Sequence, residues 1–182
     1  GPPLVFVYKG ASLPGYAYSS IRLAKKSWSG RVVVLHSLSQ PLEVSGVDCE
    51  NFEHWYNPDE FGKFARVSNL DRDFREGFWL HAVERFFILE QWSKHHGEAA
   101  FAHAELDAFF FTSSEICARL DTVGKGLFYP FGSHEHAGAV FLYVNEVAAL
   151  SRLNSFLVSD AGIGDEMRAL WFFAAFSSRD VF

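Results

Sequence analysis

The chain has 182 residues, of which 49% are hydrophobic and 17% aromatic, including 20 Phe and 5 Trp. That is enough for one domain that buries roughly two thirds of its unfolded surface around an aromatic-rich core. The formal net charge is −6 and the longest basic run is Lys25-Lys26, which excludes a broad surface for a nucleic-acid backbone. There is no apolar stretch of about 18 residues or more and no signal peptide, so no transmembrane segment is expected. Cys49 and Cys117 match no disulfide framework or zinc spacing. The expectation is a single cytoplasmic domain over residues 1–182 in a reducing compartment.

In chain order, Leu4 to Tyr8 is a continuous apolar run that reads as a buried strand, broken by Lys9-Gly10. Pro14-Gly15 marks a turn, Tyr16 to Trp28 a helix with Lys25 and Lys26 near its end, and Arg31 to His36 a second strand. The opening is therefore a β-helix-β unit with a parallel pair. Ser37 to Asn57 reads as loop, with one short strand around Val44 to Val47. Asp71 and Asp73 are candidate helix caps, and Phe78 to His96 has the apolar spacing of a buried helix that Gly97 ends. After the stretch Phe101 to Phe111 come a helix from Ser114 to Asp121, capped by Ser113 or Ser114, and strands at Leu127–Phe131 and Ala139–Val144. Between those strands lies the polar loop Gly132 to Gly138. Asn145 is expected to cap a helix from Glu146 to Leu157. A last helix begins at Asp165, after Gly162 and Gly164. Strands alternating with helices predict an α/β sandwich with a mostly parallel sheet.

The chemistry concentrates in FAHAELDAFFF, Phe101 to Phe111, where carboxylates interrupt an apolar run. In an extended segment Glu105 and Asp107 face the same way, and a cation would offset the cost of burying two like charges. The alternative is that the strand ends at Ala104 and both carboxylates sit in a solvated turn. Ligands of open α/β sheets bind at the carboxyl ends of strands, here Tyr8-Lys9, His36-Ser37 and Glu105-Asp107. Lys9 is either a phosphate partner or a surface lysine. His103 reads first as a hydrogen-bonded core residue and second as a ligand or a carboxylate orienter. His134-Glu135-His136 reads as a substrate-side or solvated loop rather than a metal site. Asp165 and Glu166 are either a helix cap or the source of a base toward an acceptor hydroxyl. Arg85 points either into the cleft or into solvent.

The segments FVYKG, EGFWLHAVERFFILEQW, HAELDAFFF and AGAVFLYVNEVAAL together resemble a GT-A-type, nucleotide-sugar-dependent glycosyltransferase. The resemblance implies a Rossmann-like three-layer sandwich over Leu4 to Phe173. It also implies an Asp-x-Asp-like motif, here Glu105-Leu106-Asp107, that holds Mn2+ or Mg2+ on the diphosphate of a nucleoside-diphosphate sugar. On this reading Tyr8, Lys9 and Gly10 touch the nucleotide. Arg85, His103 and Gly138 line the donor side, and Asp165 or Glu166 supplies the base. The acceptor is a hydroxyl of a glycan or related compound. A Glu in the first motif position departs from the family pattern, and the chain is short for the superfamily. It is read as a minimal enzyme, a fragment of a longer protein, or a non-catalytic nucleotide- or sugar-binding domain. A sugar-nucleotide-forming nucleotidyltransferase fits less well, since Lys9-Gly10-Ala11-Ser12 is too sparse for a glycine-rich phosphate loop.

Overall fold

Alternation along the two opening strands sets the layers. Leu4 and Phe6 of β1 (Leu4–Tyr8) and Val32 and Val34 of β2 (Val32–His36) face one apolar cluster, while Val5, Val33 and Leu35 face another. Both faces of the sheet are therefore covered, which is why these strands read as unbroken apolar runs. The computed structural model describes residues 1–108, 114–132, 137–160 and 165–176.

The remaining elements are α1 (Gly15–Ser27), β3 (Asp48–Asn51), α2 (Asp59–Val67), α3 (Phe78–His96), β4 (Phe101–Ala104) and α4 (Glu115–Asp121). They are followed by β5 (Leu127–Phe128), β6 (Phe141–Val144), α5 (Val147–Ser159) and α6 (Glu166–Phe176). The strand order is β3-β2-β1-β4-β6-β5. β1 is parallel to β2 and β4, β2 is parallel to β3, and β6 runs against both of its neighbours. Ala17, Ile21 and Ala24 of α1 and Cys117 of α4 pack on one face. Phe64 of α2, Val83, Phe86 and Phe87 of α3, Leu150 and Leu153 of α5 and Leu170 of α6 pack on the other. The result is the expected three-layer α/β sandwich with a mostly parallel sheet.

Four local expectations are corrected. The short strand expected at Val44–Val47 lies at Asp48–Asn51, where an edge strand of polar sequence pairs Val33↔Asp48 through His36↔Asn51. Helix α2 is absent from the sequence reading: of its nine residues only Phe64 is buried, and Gly62 blurs the period. Ser114 is the residue before α4 but makes no side-chain cap bond. Asn145 does not cap α5, whose cap position is Glu146. Its side chain instead accepts from Gly126 N–H at 2.8 Å and donates to Asp121 Oδ1 at 2.7 Å, tying β6 to the turn before β5. The expectations for Ser113, Phe109–Phe111, His134-Glu135-His136, Gly162 and Gly164 fall outside the described residues.

Helix α3 positions the site. Ala82 through Leu89 are all buried, because the helix lies between the sheet and the other helices of its layer. Polar residues in such a helix cannot turn away to water and need partners inside. Glu84, Arg85 and Ser93 are those residues, and each has one.

Candidate active site

β1 and β4 are neighbours and end side by side. Their carboxyl ends and the start of α3 enclose a cleft of about 370 Å³, lined among others by Tyr8, Lys9, Arg85, His103, Glu105 and Asp107. The third expected strand end stays out of it. His36 is buried, its Nδ1 accepts from Leu38 N–H at 3.2 Å, and Ser37 Oγ accepts from Gly10 N–H at 3.2 Å.

The acidic pair does not lie on an extended strand. β4 stops at Ala104, and Ala108 N–H donates to Glu105 O at 3.1 Å, so Glu105 to Ala108 form a turn. Two anchors hold that turn: Leu106 is buried beneath it, and Glu105 N–H donates to Val140 O at 3.1 Å. Both carboxylates nonetheless line the cleft, Glu105 half-buried and Asp107 exposed. Among the described residues no group of three or more His, Cys, Asp or Glu is arranged to hold a metal ion. Two carboxylates suffice for a hard divalent cation when substrate phosphates and water supply the remaining oxygens. Glu105 and Asp107 fit that pattern, with Asp107 the more accessible because Glu105 Oε1 accepts from Arg85 Nη1.

Arg85 is buried, not on the surface. Its Nη2 lies 3.6 Å from Glu166 Oε1, so the guanidinium sits between the acidic turn and the first turn of α6. At 3.6 Å this second contact is an ion pair without a hydrogen bond, and Arg85 Nε and Nη2 and Glu166 Oε2 have no hydrogen-bond partner. Burial raises the pKa of Glu166 above the ordinary carboxylate value, and the Arg85 charge only partly opposes this. The residue before Arg85, Glu84, also lines the cleft; its Oε2 accepts from Lys9 Nζ at 2.6 Å and lies 3.5 Å from His81 Nδ1. Burial raises the Glu84 pKa, but the bonds and charges of His81 and Lys9 outweigh it and leave the carboxyl below its usual range. Lys9 is thus already paired.

His103 forms part of the floor. Its Nδ1–H donates to Val5 O at 2.9 Å, and Nε2 has no partner. The assignment of the proton to Nδ1 follows from that carbonyl, which can only accept. Burial, with the Arg85 charge, lowers its pKa to about 3, so the ring is neutral at physiological pH. Tyr8 OH donates to Ser12 O at 2.6 Å, and its ring covers Gly10, where a Cβ would come within 2.7 Å of that hydroxyl. Gly138, expected on the donor side, is not among the residues that line the cleft; its N–H donates to Pro130 O at 2.6 Å.

The expected base is not presented as an exposed carboxylate. Glu166 is buried because the start of α6 packs against α3, and Asp165 Oδ1 accepts from Arg168 N–H at 2.9 Å, as a helix cap does. The sequence reading also missed Tyr16, Arg75, Phe78, His81 and Glu84, which line the cleft. Only Glu84 had a usable signal, an acid beside Arg85 inside a run that is apolar on both sides.

No protein-family model and no curated protein matches the sequence. Solved structures do. The chain superposes on mouse xyloside xylosyltransferase 1 in its apo form with a TM-score of 0.65 at 9% identity, covering 100% of this chain and 84% of that one. It superposes on the PaToxG glycosyltransferase with a TM-score of 0.59 at 10% identity, covering 97% of this chain and 70% of the other. The fold is that of GT-A glycosyltransferases.

Proposed function

We infer that the cleft binds a nucleoside-diphosphate sugar and that the protein transfers the sugar to a hydroxyl of a glycan or related acceptor. The observation that supports this best is the acidic turn Glu105 to Ala108 at the end of a central strand, next to a buried arginine, on a sheet with the GT-A strand arrangement. Mn2+ or Mg2+ held by Asp107, with Glu105 beside it, would supply positive charge to the departing diphosphate. The protein's own residues do the rest. Tyr8, Lys9 and Gly10 meet the nucleotide at the end of β1. Arg85 and the bare Nε2 of His103 offer a donor and an acceptor to the sugar hydroxyls, and Glu166 holds Arg85 in place. The bond from the anomeric carbon to the diphosphate breaks, a bond to the acceptor oxygen forms, and the hydroxyl proton passes to an oxygen of the departing diphosphate. The cytoplasm suits a chain whose described helices include none long and apolar enough to cross a membrane.

One observation favours a second reading, a binding domain without turnover within a larger glycan-assembly protein. Glu166 is buried and Asp165 serves as a cap, so neither is displayed as a base. Calorimetric titration with UDP and GDP, with and without manganese, followed by nucleotide-sugar turnover assays, separates the two. Metal-dependent binding with turnover supports transfer, binding without turnover supports the second reading, and binding of neither nucleotide counts against transfer and favours a fragment or a module that binds sugar alone.

A further inference from the structure

Resting on that reading of the cleft, we propose that Arg75 is the residue that receives an anionic group there, a phosphate in chemical class. The argument begins with charge. Lys9 is paired with Glu84, and Arg85 with Glu105 and Glu166. Among the described residues Arg75 and Asp107 make no ion pair, although both line the cleft. Asp107 suits a cation, and Arg75 is the complementary charge on the same cavity. A guanidinium matches phosphate with two parallel donors, which a paired ammonium such as Lys9 cannot do.

The local backbone gives a second, independent reason. Arg75 (φ 46, ψ 49), Glu76 (φ 57) and Gly77 (φ 88) are three successive left-handed residues, and only the last is a glycine. Side-chain-bearing residues in that region are strained, and such strain gathers at ligand clamps. Here it aims Arg75 at the cleft mouth. The guanidinium lies 5.2 Å from the centroid of the Phe74 ring, and Phe74 stacks on Trp79 with centroids 5.7 Å apart. Stacking restricts a long side chain before the ligand arrives, which lowers the ordering cost of binding. Exposed Phe74 and Phe78 thereby form a support for the arginine at the rim.

The anion has two possible sources, the diphosphate of the donor or a phosphate on the acceptor, and one experiment separates them. Inorganic pyrophosphate and UDP, each with manganese, are titrated into wild type, Arg75→Ala, Arg75→Lys and Arg75→Gly. Pyrophosphate binding should weaken at least about tenfold in the Ala and Gly variants and less in Lys. Arg75→Gly should keep a thermal midpoint no lower than wild type, because glycine relieves the left-handed strain. Binding and stability then move apart, which a merely structural arginine would not do. An equal loss for UDP identifies the donor diphosphate. Unchanged UDP affinity, with inorganic phosphate binding to UDP-loaded wild type but not to UDP-loaded Arg75→Ala, identifies an acceptor phosphate. The proposal is overturned if wild type binds none of these anions, or if Arg75→Ala binds them all as wild type does. Should UDP bind both proteins equally with no phosphate effect, the glycosyl-transfer reading survives and Arg75 does not. Should pyrophosphate bind through Arg75 while no nucleoside diphosphate binds, the reverse holds.

Discussion

Replacing Arg85 by Met leaves two carboxylates facing a space that held their counter-charge. Glu105, with 31% of its side chain exposed, can rehydrate; Glu166, at 7%, cannot. Removing one partner of a buried pair costs about 3–5 kcal/mol, and the rehydration of Glu105 argues for the lower end, about 3 kcal/mol at about pH 8. In a chain of this size that is a fall in thermal midpoint of about 6–12 °C. The pH dependence is the sharper test. Burial already raises the Glu166 pKa, and Arg85 is the leading influence opposing that rise. Its loss raises the folded-state pKa further, by about 1.4 kcal/mol per unit. Between the ordinary carboxylate value and the raised one, the folded chain binds more protons than the unfolded chain, so stability falls as pH rises through that interval. Urea unfolding should therefore show a smaller loss in acidic buffer than near pH 8, where it reaches about 3 kcal/mol. Adding Glu166→Gln should recover most of the difference. An equal loss at both pH values, or no recovery in the double variant, would refute the buried-charge argument.

Asp107→Asn should abolish manganese-dependent nucleotide binding in calorimetry while leaving the melting temperature unchanged, since Asp107 is exposed and the turn is held by backbone bonds; retained binding removes Asp107 from the site. Lys9→Met deprives Glu84 of its closest cation and should destabilise the fold by about 2 kcal/mol at neutral pH. Because the folded Glu84 pKa lies below the unfolded value, that contribution is present above the unfolded pKa and lost as pH falls through the folded one, so wild type and variant should converge in acid unfolding. His103 has the opposite origin and the same acid direction. With a folded pKa of about 3, it stays neutral while the unfolded residue takes up a proton below about pH 6.5, a loss on the order of 5 kcal/mol on full acidification. In His103→Phe the stability curve between those pH values should flatten, and an unchanged curve sinks the assignment.

How much of this was legible depended on how each residue announces its surroundings. Helix α3 was legible end to end, since its aromatic residues recur at helical spacing and Gly97, at φ 68, closes it with a left-handed turn. β1 and β2 were legible because strands buried on both faces are apolar at every position. β3 was not, because an edge strand reading Asp-Cys-Glu-Asn has no apolar face to reveal. Within the site, the position of the acidic turn followed from the end of an apolar run, but its shape did not. The bond from Ala108 N–H to Glu105 O is local chemistry that alternation cannot foresee. Arg85 was identified by its place on the helix, whereas its burial depends on α6, which arrives from about 80 residues later in the chain. Glu166, read as either a cap or a base, hid its burial for the same reason. Arg75 was invisible, because its position follows from a left-handed backbone that no residue type there demands.

The reversed strand β6 has a consequence for how this cleft is built. In a fully parallel sheet, each strand would deliver to the site only the residues that follow it. Because β6 runs backwards beside β4, the residues that precede it arrive at the same edge: Val140 O meets Glu105 N–H, and Ala137 N–H meets Met167 O at 3.1 Å, drawing in the start of α6. The far wall is therefore set by strand register, through pairs from Phe101↔Val144 to Ala104↔Phe141, rather than by the length of a surface loop. Inserting one residue into that pairing would turn Leu142 and Tyr143 to opposite faces and carry the Glu166–Arg85 contact away from the acidic turn. The geometry of this wall is thus as hard to vary as the core itself, while the rim near Phe74 and Arg75, held by no strand, is where sequence change meets least resistance.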